Sequence, residues 1–523
     1  MKKRRFSRQV LSSDLAILFY LASIKLVLHF LTNSHYGYFT DELYYIACGE
    51  HLDWGYVDQP PLIAVVAKLS RWLMGDSLFA LRFFPAVAGA ALVFLTGLIV
   101  RELGGGRFAQ LLAALAIIIA PIYLAFHTLL TMNAFDPLCW TLGAYLIMLI
   151  IKHDRPRLWL LFGVVAGVGL MNKYSVAFFG FGIVVGLLLT PQRQLLFEKW
   201  VWLGGFVALV IFLPHLSWEL KHGWATFELL RNAHLYLHYP VSPAEFLWGQ
   251  VLLTHPLTFP IWLAGLYFYF YSQDGQQYRA LGWAYVIVFG LFVALKGKVY
   301  YLAPAYPVLL AAGAIVTERF IRQSQSQWLK PAAVTVLLVG GVLSAPYTLP
   351  VLPVDVFLRY ENRLGIPEVK AEKGESGRLP QNYAYMFGWE NLAATVAKVY
   401  HSLSPEEQRK CAIWASDYGQ AGAIDFFGRA YHLPEAISGY QNYYLWGPRD
   451  YTGELMIAVG FSADDLRPIF DQVGQAAFIK CEYCWPDQDN LPVYLCRGLK
   501  TPLQEFWPRV KCYSCDRPPF AVH

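Results

Sequence analysis

Charge is what this chain has least of. Only 15 % of its 523 residues are Asp, Glu, Lys or Arg, whereas 56 % are hydrophobic and mean hydropathy is +0.38. Soluble domains carry about a quarter of their residues as charges, so this composition excludes an ordinary water-soluble globule. Neither a G-x-G-x-x-G run nor a P-loop follows a strand in the C-terminal part, which leaves a nucleotide site without support. Internal repeats and low-complexity tracts are missing too. The net charge of +5 sits at the ends of apolar segments, where it reports topology and not a nucleic-acid partner.

Long apolar runs are what the chain has instead. A bilayer core of about 30 Å takes roughly 20 apolar residues in a helix. Eleven candidate spans follow: Leu15–Leu31, Leu78–Val100, Leu111–Leu130, Leu138–Ile151, Leu158–Leu170, Ser175–Leu189, Trp200–Leu216, Leu247–Tyr271, Leu281–Leu295, Tyr300–Val316 and Ala332–Leu349. The first run lacks an A-x-A site and carries Lys25 and His29, so it reads as a retained helix. Lys2, Lys3, Arg4, Arg5 and Arg8 precede it and place the N-terminus in the cytoplasm. Alternation then puts basic loops (Arg101 and Arg107; Lys152, Arg155 and Arg157; Arg193 and Lys199; Arg279; Arg319, Arg322 and Lys330) on the same side, and the C-terminus outside.

Beyond Leu349 the apolar runs stop. Pro346, Pro350 and Pro353 mark the exit, and the segment from Asp355 alternates helix-like and strand-like stretches. The expected organisation is a membrane domain over 1–350 and a soluble extracytoplasmic α/β domain over 351–523. Its aromatic residues suit either saccharide stacking or, more simply, a packed core.

The loop after the first span, YFTDELYYIACGEHLDWGYVDQPPL, concentrates acids at the mouth of the membrane segment. With the topology above, Asp41, Glu42, Asp58, Asp136, Lys173, Arg231 and Lys298 share the outer face, and ionisable groups near spans are costly enough that a shared face argues for a shared site. Each has a plainer reading. Asp41 and Glu42 fit helix capping as well as general-base chemistry. Asp58 precedes a Pro pair and Asp136 precedes Pro137, both positions where helices begin. Lys173, Lys296 and Lys298 at a membrane edge can snorkel to headgroups or hold a lipid phosphate. Arg231, His234 and His238 add to that cradle only weakly, and the histidines have no metal-site spacing. The acidic loop leaves a divalent metal open as a cofactor.

Eight cysteines include Cys481-x-x-Cys484 and Cys512-x-x-Cys515, with Cys496 as a further partner. In an extracytoplasmic domain disulfides are the default, and zinc is the alternative.

FTDELYY, DQPPL, NAFDPL, NKYS and Lys298-x-Tyr300-Tyr301-x-x-Pro304-x-Tyr306-Pro307 occur in this order between spans. Over Phe39 to Pro307 the chain thereby resembles the membrane glycosyltransferases of the protein O-mannosyltransferase, aminoarabinose transferase and rhizobial lipopolysaccharide sugar transferase type (GT-C). The resemblance implies an α-helical polytopic inner-membrane protein that transfers a sugar from a polyprenyl-phosphate donor to an envelope glycan, lipid or protein acceptor. It implies Asp41 as catalytic base, Asp58 and Asp136 as further site acids, and Lys173 and Lys298 as carrier-phosphate contacts; Arg231, Tyr300 and Tyr301 are expected beside them as substrate or phosphate contacts. Where the aminoarabinose branch has Glu-Lys-Pro, this chain has Asp58-Gln59-Pro60, and the middle-loop domain of the protein mannosyltransferases is missing. A transporter or flippase for an anionic lipid is the competing class, since intramembrane charges also mark substrate pathways. A glycan-binding scaffold is a third.

Overall fold

The computed structural model describes residues 14–237, 241–365, 377–515 and 520. The N-terminal basic cluster and His238 lie outside the described residues.

Seven helices are long and apolar enough to cross a membrane, from Leu15–Thr32 to Leu329–Tyr347, and up to ten spans result if each of three bent helix pairs is one. Leu158–Leu170 is a shorter apolar helix. Every expected span falls on one of these elements, but two are not continuous rods and a third, Ser175–Leu189, leads into a bend. Arg107–Ile119 and Pro121–Thr128 meet at 61°, Ser175–Leu188 and Pro191–Phe197 at 117°, and Pro243–Thr254 and Pro256–Tyr271 at 94°. In each pair the second half begins with a proline, which has no N–H to continue the ladder and crowds the preceding turn. Hydropathy runs straight through Pro121 and Pro256, which is why the sequence shows those two as single spans, whereas the expected Ser175–Leu189 stops short of Pro191.

The chain divides into two compact units. The first holds Met1–His35, Leu73–Pro214 and Pro240–Phe357, and the second Tyr36–Trp72, His215–Tyr239 and Leu358–His523. The last crossing between the units falls after Phe357. The second unit also takes in the acid loop and the His215–Tyr239 segment.

The first unit is helix on helix. Its closest approaches use glycine: a Cβ at Gly313 would stand 1.7 Å from the Ile261 carbonyl oxygen, and one at Gly265 2.1 Å from that of Leu309. Small residues let the Phe259–Tyr271 and Tyr306–Gln323 helices meet backbone to backbone, the device by which packing replaces the hydrophobic effect in lipid. Lys25 is fully buried in the first span, where its Nζ donates to the Tyr123 carbonyl at 3.2 Å.

The second unit contains a four-stranded sheet of β1 (Cys411–Ala415), β2 (Leu455–Val459), β3 (Phe470–Ile479) and β4 (Leu491–Leu499) in the order β1-β2-β4-β3. β1 and β2 are parallel and the other pairs antiparallel. β1 and β2 are buried along their whole length, as the unbroken apolar runs CAIWA and LMIAV require. Trp414 packs on Phe461 at 4.4 Å between ring centroids and lies in a core with Met456, Phe470, Phe506 and Trp507, so these aromatics are core and not saccharide platform.

Candidate active site

Asp41 lies in the first turn of the Thr40–Glu50 helix, which Phe39 caps in an extended conformation. Glu42, three residues past that cap, is fully buried and accepts the Phe39 N–H at 2.9 Å, the returning half of a capping box. Of the two adjacent acids, Glu42 takes the structural role. Asp41 faces elsewhere: its Oδ1 accepts the Tyr418 hydroxyl at 2.9 Å.

Tyr418 opens the Tyr418–Phe427 helix, whose N-cap Asp417 accepts the Gln420 N–H at 2.8 Å. That helix lies against Thr40–Glu50 through Gly419 and Gly422. A Cβ at Gly419 would be 2.3 Å from Thr40 Oγ1, and one at Gly422 3.0 Å from the Leu43 carbonyl carbon. Ring pairs pin the same segment: Tyr38 to Phe426 at 4.9 Å and Phe39 to Tyr385 at 5.9 Å.

Asp58 does not cap a helix. Its Oδ1 accepts the Tyr44 hydroxyl at 3.0 Å, and the Gln441 amide, turned with its nitrogen inward, donates to both carboxylate oxygens at 3.1 Å. Gln441 holds this position from the left-handed region, at φ 46°, where a side chain costs of order 1 kcal/mol or more. Next to it Asn442 Oδ1 accepts the Val57 N–H at 2.6 Å, fixing the backbone one residue before the acid. The Tyr44 and Tyr418 rings lie 4.9 Å apart, so the hydroxyls serving the two acids belong to one packed pair. Desolvation pushes the Asp58 carboxyl up to about 7, against the hydrogen bond from Tyr44 that favours its charge, and the negative charge of Asp41 adds to the rise. Part of the side chain still reaches solvent, as an acid that exchanges protons must.

Further from these acids, Asp425 accepts the Tyr443 hydroxyl and the Ala436 N–H, each at 2.7 Å, and burial raises its carboxyl to about 6. With both oxygens engaged it is a clip inside the domain.

The first unit holds a second cluster. Asp136, buried at the start of Asp136–His153, accepts the Ser175 hydroxyl at 2.5 Å. Lys173 Nζ donates to Asn133 Oδ1 at 2.5 Å and stands 3.9 Å from Asp136 Oδ2. The same ammonium faces the rings of Tyr301 at 5.1 Å and Tyr300 at 5.6 Å, a cation–π cradle. Lys298 is near enough for its charge to act on Lys173. The NAFDPL, NKYS and Lys298–Pro307 motifs thus meet around one cation. Arg231, on Ala225–Asn232 in the second unit, is exposed.

Cys512 and Cys515 form a disulfide, whereas Cys481, Cys484 and Cys496 are free thiols. The bonded pair removes two of the four sulfurs that a zinc site built on both CxxC motifs needs. Among the described residues no three His, Cys, Asp or Glu side chains gather as a metal site.

Tyr44, Tyr418, Gln441 and Asn442 are the residues that sequence reasoning missed. Tyr44 lies inside FTDELYY, 14 positions from Asp58, whereas ASDYGQAG and SGYQNYYLWG, which hold the other three, show no catalytic motif, and only pairing across hundreds of residues gives those three meaning.

Residues 58–218 match the family described as dolichyl-phosphate-mannose-protein mannosyltransferase. Over 255 residues the chain is 24 % identical to the lipid A galacturonosyltransferase RgtD of Rhizobium johnstonii, a match that covers 47 % of this chain and about half, 52 %, of that relative. The crystal structure of ArnT from Cupriavidus metallidurans superposes with a TM-score of 0.59 in the apo state and 0.61 with undecaprenyl phosphate bound. Each superposition has 15 % identity and covers 91 % of this chain and 97 % of ArnT. The chain thus has the fold of ArnT, and its sequence matches a mannosyltransferase family model over residues 58–218. It is a multi-pass membrane protein with the polytopic helical body of that type and a small additional α/β sheet domain.

Proposed function

We propose that this GT-C protein transfers a sugar from a polyprenyl-phosphate donor to a hydroxyl on an extracytoplasmic envelope acceptor, with Asp41 as general base. In this reaction the acceptor oxygen bonds to the anomeric carbon, the bond from that carbon to phosphate breaks, and the polyprenyl phosphate leaves. The acceptor proton passes to a carboxylate. The observation that carries the reading is the Asp41/Asp58 pair, two acids sharing a tyrosine pair with Asp58 raised to about 7. A carboxyl raised in this way suits holding a proton, beside a second carboxylate placed to accept one.

Lys173, backed by Lys298 and the two tyrosine rings, suits the carrier phosphate, because its ammonium is held in place and partly desolvated. Support for a lipid-linked donor comes from ArnT, seen with undecaprenyl phosphate, and for an envelope acceptor from RgtD, named for lipid A.

Incubation of the purified protein with labelled polyprenyl-phosphate sugars and lipid A or other envelope acceptors tests the proposal. Labelled acceptor and free polyprenyl phosphate should form together. Donor binding without turnover across donors and acceptors would favour transport.

A further inference from the structure

The rings that face Lys173 are carried by a segment that is weak on its own. Val299–Ala305 is a 3₁₀ helix of 7 residues with Pro304 inside it. Such runs rarely exceed three or four residues because their hydrogen bonds are poorly aligned, and the proline removes one more donor. Side chains from elsewhere in the first unit fasten it instead. Gln250 Nε2, on Pro243–Thr254, donates to the Val299 carbonyl at 2.8 Å, and the Tyr123 hydroxyl, on Pro121–Thr128, donates to the Ala303 carbonyl at 2.7 Å. These two carbonyls bracket Tyr300 and Tyr301. Gln250 is fully engaged: its Oε1 accepts the Tyr306 hydroxyl at 3.1 Å, which lies 3.2 Å from that of Tyr285. Its Nε2 also reaches the Phe246 carbonyl of its own helix, at 3.2 Å, but the nearer acceptor is the one across the gap. Gly249 lets the helix press there, since a Cβ on it would stand 2.3 Å from Val299 Cγ1.

We propose that Gln250 is a positioning residue for the carrier-phosphate site. Through the Val299 carbonyl it sets the Tyr300 and Tyr301 rings, and through those rings the Lys173 ammonium; Tyr123 acts in the same way from the Ala303 end. The inference rests on the reading of Lys173 as the phosphate contact. Two magnitudes support it. An amide as buried as Gln250, 1 % exposed, is costly unless each of its polar atoms is bonded, so one that bonds two elements holds them in register. The ammonium stands 5.1 and 5.6 Å from the two ring centroids, close to the ~6 Å within which a ring attracts a cation. A retreat of the segment by about 1 Å takes both rings past that limit and frees the ammonium from its place.

Native mass spectrometry of the full-length protein titrated with undecaprenyl phosphate reads carrier binding without any transfer. Gln250→Met keeps the volume and removes the N–H donor, and Tyr123→Phe removes one hydroxyl. Each should weaken binding roughly 2- to 10-fold, the range that one hydrogen bond spans. Tyr269→Phe is the structural control: it deletes a buried hydroxyl that donates to the Val308 carbonyl at 3.2 Å, beyond the segment, so binding should stay at the parent value even where the thermal midpoint falls as far as in Gln250→Met. Lys173→Ala should weaken binding by about 10-fold or more, as loss of a charged contact does. If it does so while Gln250→Met and Tyr123→Phe bind like the parent, the positioning role alone is overturned. Equal losses in Gln250→Met, Tyr123→Phe and Tyr269→Phe overturn it too, because the effect is then general destabilisation. Parent-like binding by Lys173→Ala overturns the phosphate reading and the inference with it. Should Gln250→Met fail to fold, Tyr123→Phe carries the test.

Discussion

At the scale of single residues, Asp41 and its neighbours separate chemistry from folding. Asp41→Asn keeps the shape and an oxygen to accept the Tyr418 hydroxyl but removes the basicity, a loss of about 10²–10⁴-fold for a general base. Transfer should fall by that order while the thermal midpoint is unchanged; activity within a few-fold of the parent would move the role to Asp58. Tyr418→Phe deletes the hydroxyl that Asp41 accepts, worth about 0.5–1.5 kcal/mol as a hydrogen bond, and should lower kcat more than it raises KM.

Asp58 adds a pH signature. Its folded-state value of about 7 lies above the ordinary 3.8, so the folded protein binds the extra proton between these limits. Stability must then fall as pH rises across that window and level off above it. Thermal midpoints from pH 5 to 8 should show that slope, and Asp58→Asn should flatten it. The acids themselves were legible in the sequence because charge is rare there. Their partners were not: Tyr418 stands 377 positions from Asp41, and nothing about a tyrosine in a soluble domain marks it as a partner for a loop acid.

At the scale of elements, the close packing of Thr40–Glu50 on Tyr418–Phe427 is the vulnerable joint. Gly422→Leu would drive a side chain into the Leu43 backbone, which cannot yield as a flexible side chain would. Overpacking of this kind costs about 1–3 kcal/mol, so the thermal midpoint should drop and transfer fall with it, whereas Gly205→Leu, with nothing near its Cβ position, should change neither. The spans were readable as elements, since apolar length survives any local bend. The bends were readable only as prolines: Pro121, Pro191 and Pro256 are visible in the sequence, but the angles follow from packing.

At the scale of the whole molecule, we propose from the basic loops that the N-terminus lies inside and the C-terminus outside. A periplasmic reporter fused after His523 should be active, and activity from a cytoplasmic reporter there would reverse the orientation and the proposed outer reaction. The composition break near Leu349 marks the end of the spans, yet it hides that Tyr36–Trp72 belongs with the C-terminal segment. Removal of 358–523 should therefore leave a protein that still inserts in the membrane but has lost transfer, because Asp41 and Asp58 lose Tyr418 and Gln441. Normal transfer by the truncated chain would show that those partners are dispensable.

The separation of Asp41 from Tyr418 also sets a clock on synthesis. A ribosome adding about 5–20 residues per second makes the 377 intervening positions in ~20–75 s. Throughout that interval the first acid has emerged and the spans are entering the lipid one after another, but the hydroxyl that orients it does not yet exist. A half-made chain is thus a membrane protein without an assembled acid pair. The pair is complete only once β1 and the helix after it have been added, so an unfinished chain held in the membrane lacks partners of both acids.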